Sequence, residues 1–345
     1  MKKIILFLLF ISINFNFHDI KAQSILADDE QKYELIGNFV TVNNDTIENC
    51  KIGFRIFGKV NVDSSNVILY CTWFGGTSEV IGRLIHKYSF IDTSKYFIIA
   101  IDALGNGVSS SPSNYSGNDS VFDKLTINDM VNSQYKFLTE KLGYKKIFAV
   151  IGGSMGSMQA IQWAVSYPDF MKKVIAYVPS PKVTSFDLLW INTQIKLIET
   201  LKRYKATGRE IKTLSDLMTA LISRTPDYIN ENVQPDKFSE YLESFNKEPD
   251  KIFTLENYLA QIKAIRDFDF SSDFNNNFKK ASEQIKSKMF LIISRRDMIV
   301  NPKSAMQLAE LTGCRTLFLE NNCGHLAVTC EIEKVKKEIA DFLSD

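Results

Sequence analysis

The run Ile147-Phe148-Ala149-Val150-Ile151-Gly152-Gly153-Ser154-Met155-Gly156 decides how the rest of the chain is read. Its first five residues form an unbroken apolar stretch of strand length, of the kind found in strands covered on both faces. The next five fit G-x-S-x-G, and helix-like residues 157–165 follow, ended by Tyr167-Pro168. In that setting the serine sits on a sharp strand-to-helix turn, where glycines are needed because neighbouring side chains would collide. The turn lifts the Ser154 hydroxyl above the end of a sheet, at a helix N-terminus. Ser154 is the candidate nucleophile.

The same alternation extends outward on both sides. Apolar runs at 67–71, 96–101, 174–178, 289–293 and 316–319 each stop at a turn-forming or polar residue. Helical patterns at 126–142, 304–311 and 332–343 lie between or after them, the first opened by the capping signal Thr126-x-x-Asp129. Strand–helix alternation of this kind gives an α/β class, with a mostly parallel sheet flanked by helices. Residues 36–42 and 52–57 alternate apolar and polar, which predicts an antiparallel edge. Residues 180–288 break the alternation and read as a helical cap inserted between two strands. The expected organisation is a leader at 1–23, a first core segment at 24–179, the cap at 180–288 and a second core segment at 289–345.

A serine nucleophile needs a base and an orienting carboxylate. The chain holds His18, His86 and His325. His18 falls in the leader and His86 in a helical stretch, so His325, in a loop after the last strand, is the candidate base. Asp297 follows the strand at 289–293 and lies between Ser154 and His325, giving the chain order Ser, Asp, His. Asp102 and Asp129 precede the serine, which that order disfavours. An oxyanion hole needs backbone N–H donors. Met155, directly after the nucleophile, supplies one, and the loop Thr72-Trp73-Phe74-Gly75-Gly76 the other, with Phe74 first and Trp73 next.

Composition narrows the partners. The 345 residues carry 41 basic and 40 acidic side chains, a net charge of +1, so no strong basic field exists to hold a nucleic acid. A small-molecule acyl substrate is the expected partner, with no nucleic acid, and a homodimer is left open. No Cys-x-x-Cys and no histidine cluster points to a metal, and the chemistry needs no cofactor. Lys2-Lys3, an apolar run at 4–10 and Lys21-Ala22-Gln23 read as a secretory signal peptide, too short to span a bilayer, which predicts export and no membrane span after processing. Five cysteines follow: Cys71 reads as a buried small hydrophobe, and a pair among Cys314, Cys323 and Cys330 is left unassigned.

The stretch from Gly152 through Ser154, Met158, Gln159 and Ala160 to Trp163-Ala164 and Tyr167-Pro168 resembles the homoserine O-acetyltransferase family of α/β-hydrolase enzymes. So do Asp92-Thr93-Ser94-Lys95-Tyr96-Phe97, Leu104-Gly105-Asn106-Gly107, and the segments around Asp297 and His325. The resemblance covers roughly 50–180 and 288–343. It implies a Ser154–Asp297–His325 triad, an acyl-enzyme intermediate and a helical lid. It also implies an aspartate directly after the triad histidine, to bind the substrate's amino group, but this chain has Leu326 there. The cap arginine and tyrosine that grip homoserine have Arg203 and Tyr204 as candidates by composition alone. The expected function is a secreted serine hydrolase cleaving an ester or related acyl bond. The alternatives are an acyltransferase and a non-catalytic binding module. N-terminal sequencing of the native protein should begin close to Gln23 or Ser24; a start at Met1 would remove export.

Overall fold

The computed structural model describes residues 29–345; the leader expected over 1–23 lies outside the described residues. The chain first forms β1 (Lys32–Leu35), β2 (Phe39–Val40), β3 (Thr46–Ile47), β4 (Lys51–Phe57), β5 (Val67–Cys71), α1 (Ser78–Tyr88) and β6 (Phe97–Ile101). Then come α2 (Ile127–Lys136), β7 (Ile147–Gly153), α3 (Met155–Ser166) and β8 (Met171–Tyr177). Helices follow as α4 (Ser185–Arg203), α5 (Gly208–Ser223), α6 (Pro226–Asn232), α7 (Phe238–Glu243), α8 (Leu255–Arg266) and α9 (Phe278–Ser282). The chain closes with β9 (Lys288–Ser294), α10 (Lys303–Thr312), β10 (Arg315–Leu319), α11 (Ala327–Cys330) and α12 (Ile332–Ser344).

Eight strands form one sheet in the order β1-β4-β6-β5-β7-β8-β9-β10. The β1–β4 and β4–β6 pairs are antiparallel, and the remaining pairs are parallel. Every residue of β5 and β6 is buried, as expected for strands covered on both faces. On one face α2, α3, α8 and α10 cover a core that includes Met130, Trp163, Ile262 and Leu308. On the other, α1 and α12 cover Ile81, Ile85, Ile339 and Phe342. The mostly parallel sheet flanked by helices is the architecture expected from the alternating runs.

Three local readings shift. The antiparallel edge strand is Lys32–Leu35, paired with Lys51–Phe57, and 36–42 does not continue it. The chain turns away at Gly37, whose φ of +74° lies in the left-handed region open to glycine. The alternation at 36–42 instead builds the β2–β3 hairpin, with Phe39 buried and Val40 exposed. Helix α3 begins at Met155, directly after the serine, so the turn is tighter than the apolar pattern suggested. Thr126 and Asp129 do form a capping box, and the Asp129 carboxylate also accepts the Val42 N–H at 2.7 Å. Within 180–287 the regular structure is helical, joined by loops, apart from a single bridge between Lys182 and Asp269. Helix α8 turns its Ala260, Ile262 and Ile265 into the core, whereas α6 and α7 bury no residue fully.

A chain of buried amides fixes α2 and α3 against the sheet behind the serine. Trp163 Nε1 donates to Gln134 Oε1 at 2.9 Å, Gln134 Nε2 to Gln159 Oε1 at 2.7 Å, and Gln159 Nε2 to the Thr72 carbonyl at 2.9 Å. Cys323 and Cys330 form a disulfide, which assigns the open pair; Cys50 and Cys71 are buried free thiols and Cys314 is a half-buried one. Burial pushes the Cys50 thiol up to about 12. Among the described residues no helix is long and apolar enough to cross a membrane. Replacing Gln159 by leucine strands a buried amide donor and a carbonyl. It should lower the unfolding free energy by about 1–3 kcal/mol, read from a urea titration.

Candidate active site

Ser154 adopts φ 54°, ψ −123°, a conformation that costs a non-glycine residue on the order of 1–3 kcal/mol. Its neighbours hold it there. A Cβ on Gly152 would collide with the Gly156 carbonyl, one on Gly156 would lie 2.5 Å from the Cys71 carbonyl, and one on Gly153 would fall inside the Tyr177 ring. The Ser154 N–H donates to the Tyr177 carbonyl at 3.1 Å, pinning the turn to the next strand.

Three elements then meet at the serine oxygen. Asp297 lies in the loop after β9, and its Oδ1 accepts the N–H groups of Ile299 and Val300, both at 2.9 Å. Its Oδ2 lies 2.7 Å from His325 Nδ1, and His325 Nε2 lies 2.9 Å from Ser154 Oγ. His325 occupies a tight turn after β10, opened by Gly324 at φ +59° and tied to the end of β9 by Ser294 Oγ donating to the Gly324 carbonyl at 2.7 Å. The Cys323–Cys330 disulfide brackets this turn. A hydrogen on Nδ1 would be directed at Asp297 Oδ2, which leaves Nε2 as an acceptor facing the Ser154 hydroxyl. The Asp297 side chain is 2% exposed and the His325 side chain 11%, so this line is shielded from bulk water.

The structure places Met155 at the first position of α3 and Phe74 in the loop after β5. The backbone N–H groups of Met155, Trp73 and Phe74 have no protein acceptor among the described residues. Gly75, at φ +64°, donates instead to Gln261 Oε1 at 2.9 Å, and the Phe74 ring stands edge-on to Phe253 and Tyr258. The Asp102 side chain makes its hydrogen bonds to Gln31, Ser78 and Asn106, not to Ser154, Asp297 or His325. Its carboxylate accepts the Ser78 N–H and Oγ–H, both at 2.7 Å, and burial raises its pKa. His86 is exposed and pairs with Asp29. Arg203 and Tyr204 are a correction to the composition-based choice: both are exposed at the end of α4 and neither lines the cavity described next.

Ser154 and His325 open onto a cavity of about 360 Å³ whose walls include Phe74, Trp190, Tyr258, Ile262, Leu326 and Ile332. That volume suits a small ligand. Among the described residues its one lining carboxylate is Asp187. Burial raises the Asp187 pKa, and the Asp297 charge adds to the effect. Its oxygens accept the N–H groups of Asn301 at 2.9 Å and Thr184 at 2.7 Å. Trp190 Nε1 donates to the Ile299 carbonyl at 2.8 Å. Helix α4 thus grips the Asp297 loop at two points. The sequence reading missed Asp187: the pattern Thr184-x-x-Asp187 could have marked it as a helix cap, but nothing in the sequence signals the contact across to Asn301.

The model of the alpha/beta hydrolase fold matches residues 67–329. An ethyl acetate hydrolase from Pseudomonas veronii is 38% identical over 160 residues, 46% of this chain. The match spans about half of that relative's own length, 46%. A homoserine O-acetyltransferase from Methanococcus vannielii is 26% identical over 376 aligned positions, covering 94% of this chain and 75% of the relative. An acetylester hydrolase structure from Corynebacterium glutamicum superimposes with a TM-score of 0.79 at 24% identity, covering 91% of this chain and 95% of the other. Replacing Asp297 by asparagine should leave the fold intact and lower kcat on nitrophenyl acetate by on the order of 10⁴-fold, because the amide imposes the wrong imidazole tautomer. Steady-state kinetics beside a circular dichroism spectrum would measure both.

Proposed function

The chain belongs to the α/β-hydrolase fold family, and on that premise we propose that it is an exported esterase acting on small, apolar esters through an acyl-enzyme on Ser154. One observation carries the reading: the hydrogen-bonded line from Ser154 Oγ through His325 to Asp297 ends at a small apolar cavity. In this reading His325 Nε2 takes the serine proton as Ser154 Oγ attacks the ester carbonyl. Asp297 stabilises the imidazolium. The Met155 N–H, with Phe74 or Trp73, faces the developing oxyanion. The imidazolium then protonates the leaving alcohol. Water, deprotonated by His325, releases the acid and restores the serine.

Acyl transfer to a hydroxyl is the second reading, favoured by the homoserine O-acetyltransferase that aligns over 94% of this chain. The two share the first half-reaction and differ in what reaches the acyl-enzyme. An α-amino group is cationic at neutral pH, and placing it unpaired in a dry site is costly. Leu326 beside His325 offers it no acceptor.

A fluorophosphonate probe should label the wild type and not Ser154→Ala; equal labelling would end the nucleophile assignment. With acetyl-CoA and homoserine present, mature protein should release acetate and form little O-acetylhomoserine. Leu326→Asp alone should not install the transfer. The hydrolase reading fails if wild type acetylates homoserine at about 10⁴ M⁻¹s⁻¹ or more and faster than it releases acetate.

A further inference from the structure

A second cavity of about 460 Å³ lies within the cap and shares no wall residue with the Ser154 cavity. Its walls are aliphatic and aromatic: Leu197 from α4, Leu217 and Ala220 from α5, Ile229 from α6, and Tyr241 and Leu242 from α7. One charged side chain, Arg224, lines it, in the short link between α5 and α6. Arg224 Nη1 is buried and has no hydrogen-bond partner among the described residues. The guanidinium forms no ion pair there and lies 4.0 Å from the centroid of the Tyr228 ring. The acidic groups of α6 are committed elsewhere: Asp227 pairs with Arg296 at 3.0 Å, and Glu231 accepts from Asn322.

The Arg224 side chain is the cationic group of an otherwise apolar groove, and its planar fork matches a carboxylate. The surrounding surface can bury an alkyl chain but offers no second free cation for a dianion. We propose that the cap groove is a binding site for a linear monocarboxylic acid, with its carboxylate on Arg224 and its alkyl chain between α4, α5 and α7. The site is distinct from the Ser154 cavity, and the proposal does not depend on the reaction assigned above, although ester cleavage releases acids of this class. Its setting also links it to the triad. A Cβ on Gly324, next to His325, would lie 3.0 Å from the Arg224 Cα, and Thr225 Oγ1 donates to the Asn322 carbonyl at 2.7 Å.

Calorimetric titration of the mature protein with sodium octanoate tests this, with 1-octanol as the neutral counterpart. Octanoate should bind saturably and at least tenfold more tightly than octanol. Arg224→Gln should weaken octanoate at least tenfold. Ala220→Phe, which fills the groove from a partly exposed helix position, should abolish the site while leaving fluorophosphonate labelling of Ser154 unchanged. Octanoate binding that survives both substitutions belongs to the catalytic cavity and overturns the proposal. Equal affinity for octanol overturns the carboxylate assignment. A wild-type dimer that Ala220→Phe dissociates, with no octanoate bound, assigns the groove to a second copy of the chain instead. If Arg224→Gln fails to fold, the Ala220→Phe titration decides alone.

Discussion

The close passage of α3 over the ends of β5 and β7 is the constraint on which the site rests. At that crossing the backbone of Gly156 meets the Cys71 carbonyl, Gly152 meets Gly156, and Gly153 meets the Tyr177 ring. None of these positions has room for a side chain, so the turn can be made only this sharply. The sharpness forces Ser154 to positive φ, and positive φ puts its hydroxyl above the sheet rather than in the helix–sheet interface. The strain is local, whereas its support is spread through the surrounding packing. The amide chain from Trp163 to Thr72 locks α3 against α2 and the loop after β5, and the Tyr177 carbonyl holds the serine N–H. Loosening any of these would let the turn relax and lower the hydroxyl.

Asp297 and His325 come from loops at the ends of two neighbouring strands, and a loop by itself holds no fixed distance. The cap supplies the missing constraint. Helix α4 reaches the Asp297 loop through Asp187 and Trp190, α6 reaches it through the Arg296–Asp227 pair, and the α5–α6 junction reaches the His325 turn through Thr225. The two triad loops are therefore gripped by adjacent parts of one insertion. A cap built this way orders the triad as well as covering it, and large movements of it would cost alignment at His325.

The parts legible in the sequence are those encoded by short-range pattern. Unbroken apolar runs such as 67–71 and 289–293 mark strands because a parallel sheet buries both faces. Ser154, Asp297 and His325 were legible because the G-x-S-x-G turn and the chain order leave few alternatives. For the second candidate oxyanion donor the sequence singles out a loop rather than a residue, since Phe74 and Trp73 would act through N–H groups whose direction no side chain reveals. The edge strand moved to Lys32–Leu35 because two consecutive strands with similar alternation compete, and Gly37 decides between them by its backbone alone. The disulfide was undecidable among Cys314, Cys323 and Cys330, since the choice depends on the turn around His325. Arg203 and Tyr204 failed because composition does not say which face of α4 meets the cavity.

In the proposed reaction the Ser154–His325–Asp297 line would serve hydrolysis and transfer alike, and the wall of the cavity would decide between them. Asp187 is the one carboxylate there among the described residues, and it is the natural place to look for a counter-ion to a cationic acceptor. Its position argues against that role. One oxygen accepts Asn301 N–H and the other Thr184 N–H, so the carboxylate is spent on joining α4 to the triad loop. Burial and the neighbouring Asp297 charge both raise its pKa, which weakens it further as an anionic anchor. Drawing Asp187 toward an ammonium would loosen the Asn301 contact and, with it, the turn that aims Asp297 at His325. A cationic acceptor would thus be bound at the expense of the catalytic line, whereas water and neutral alcohols make no such demand.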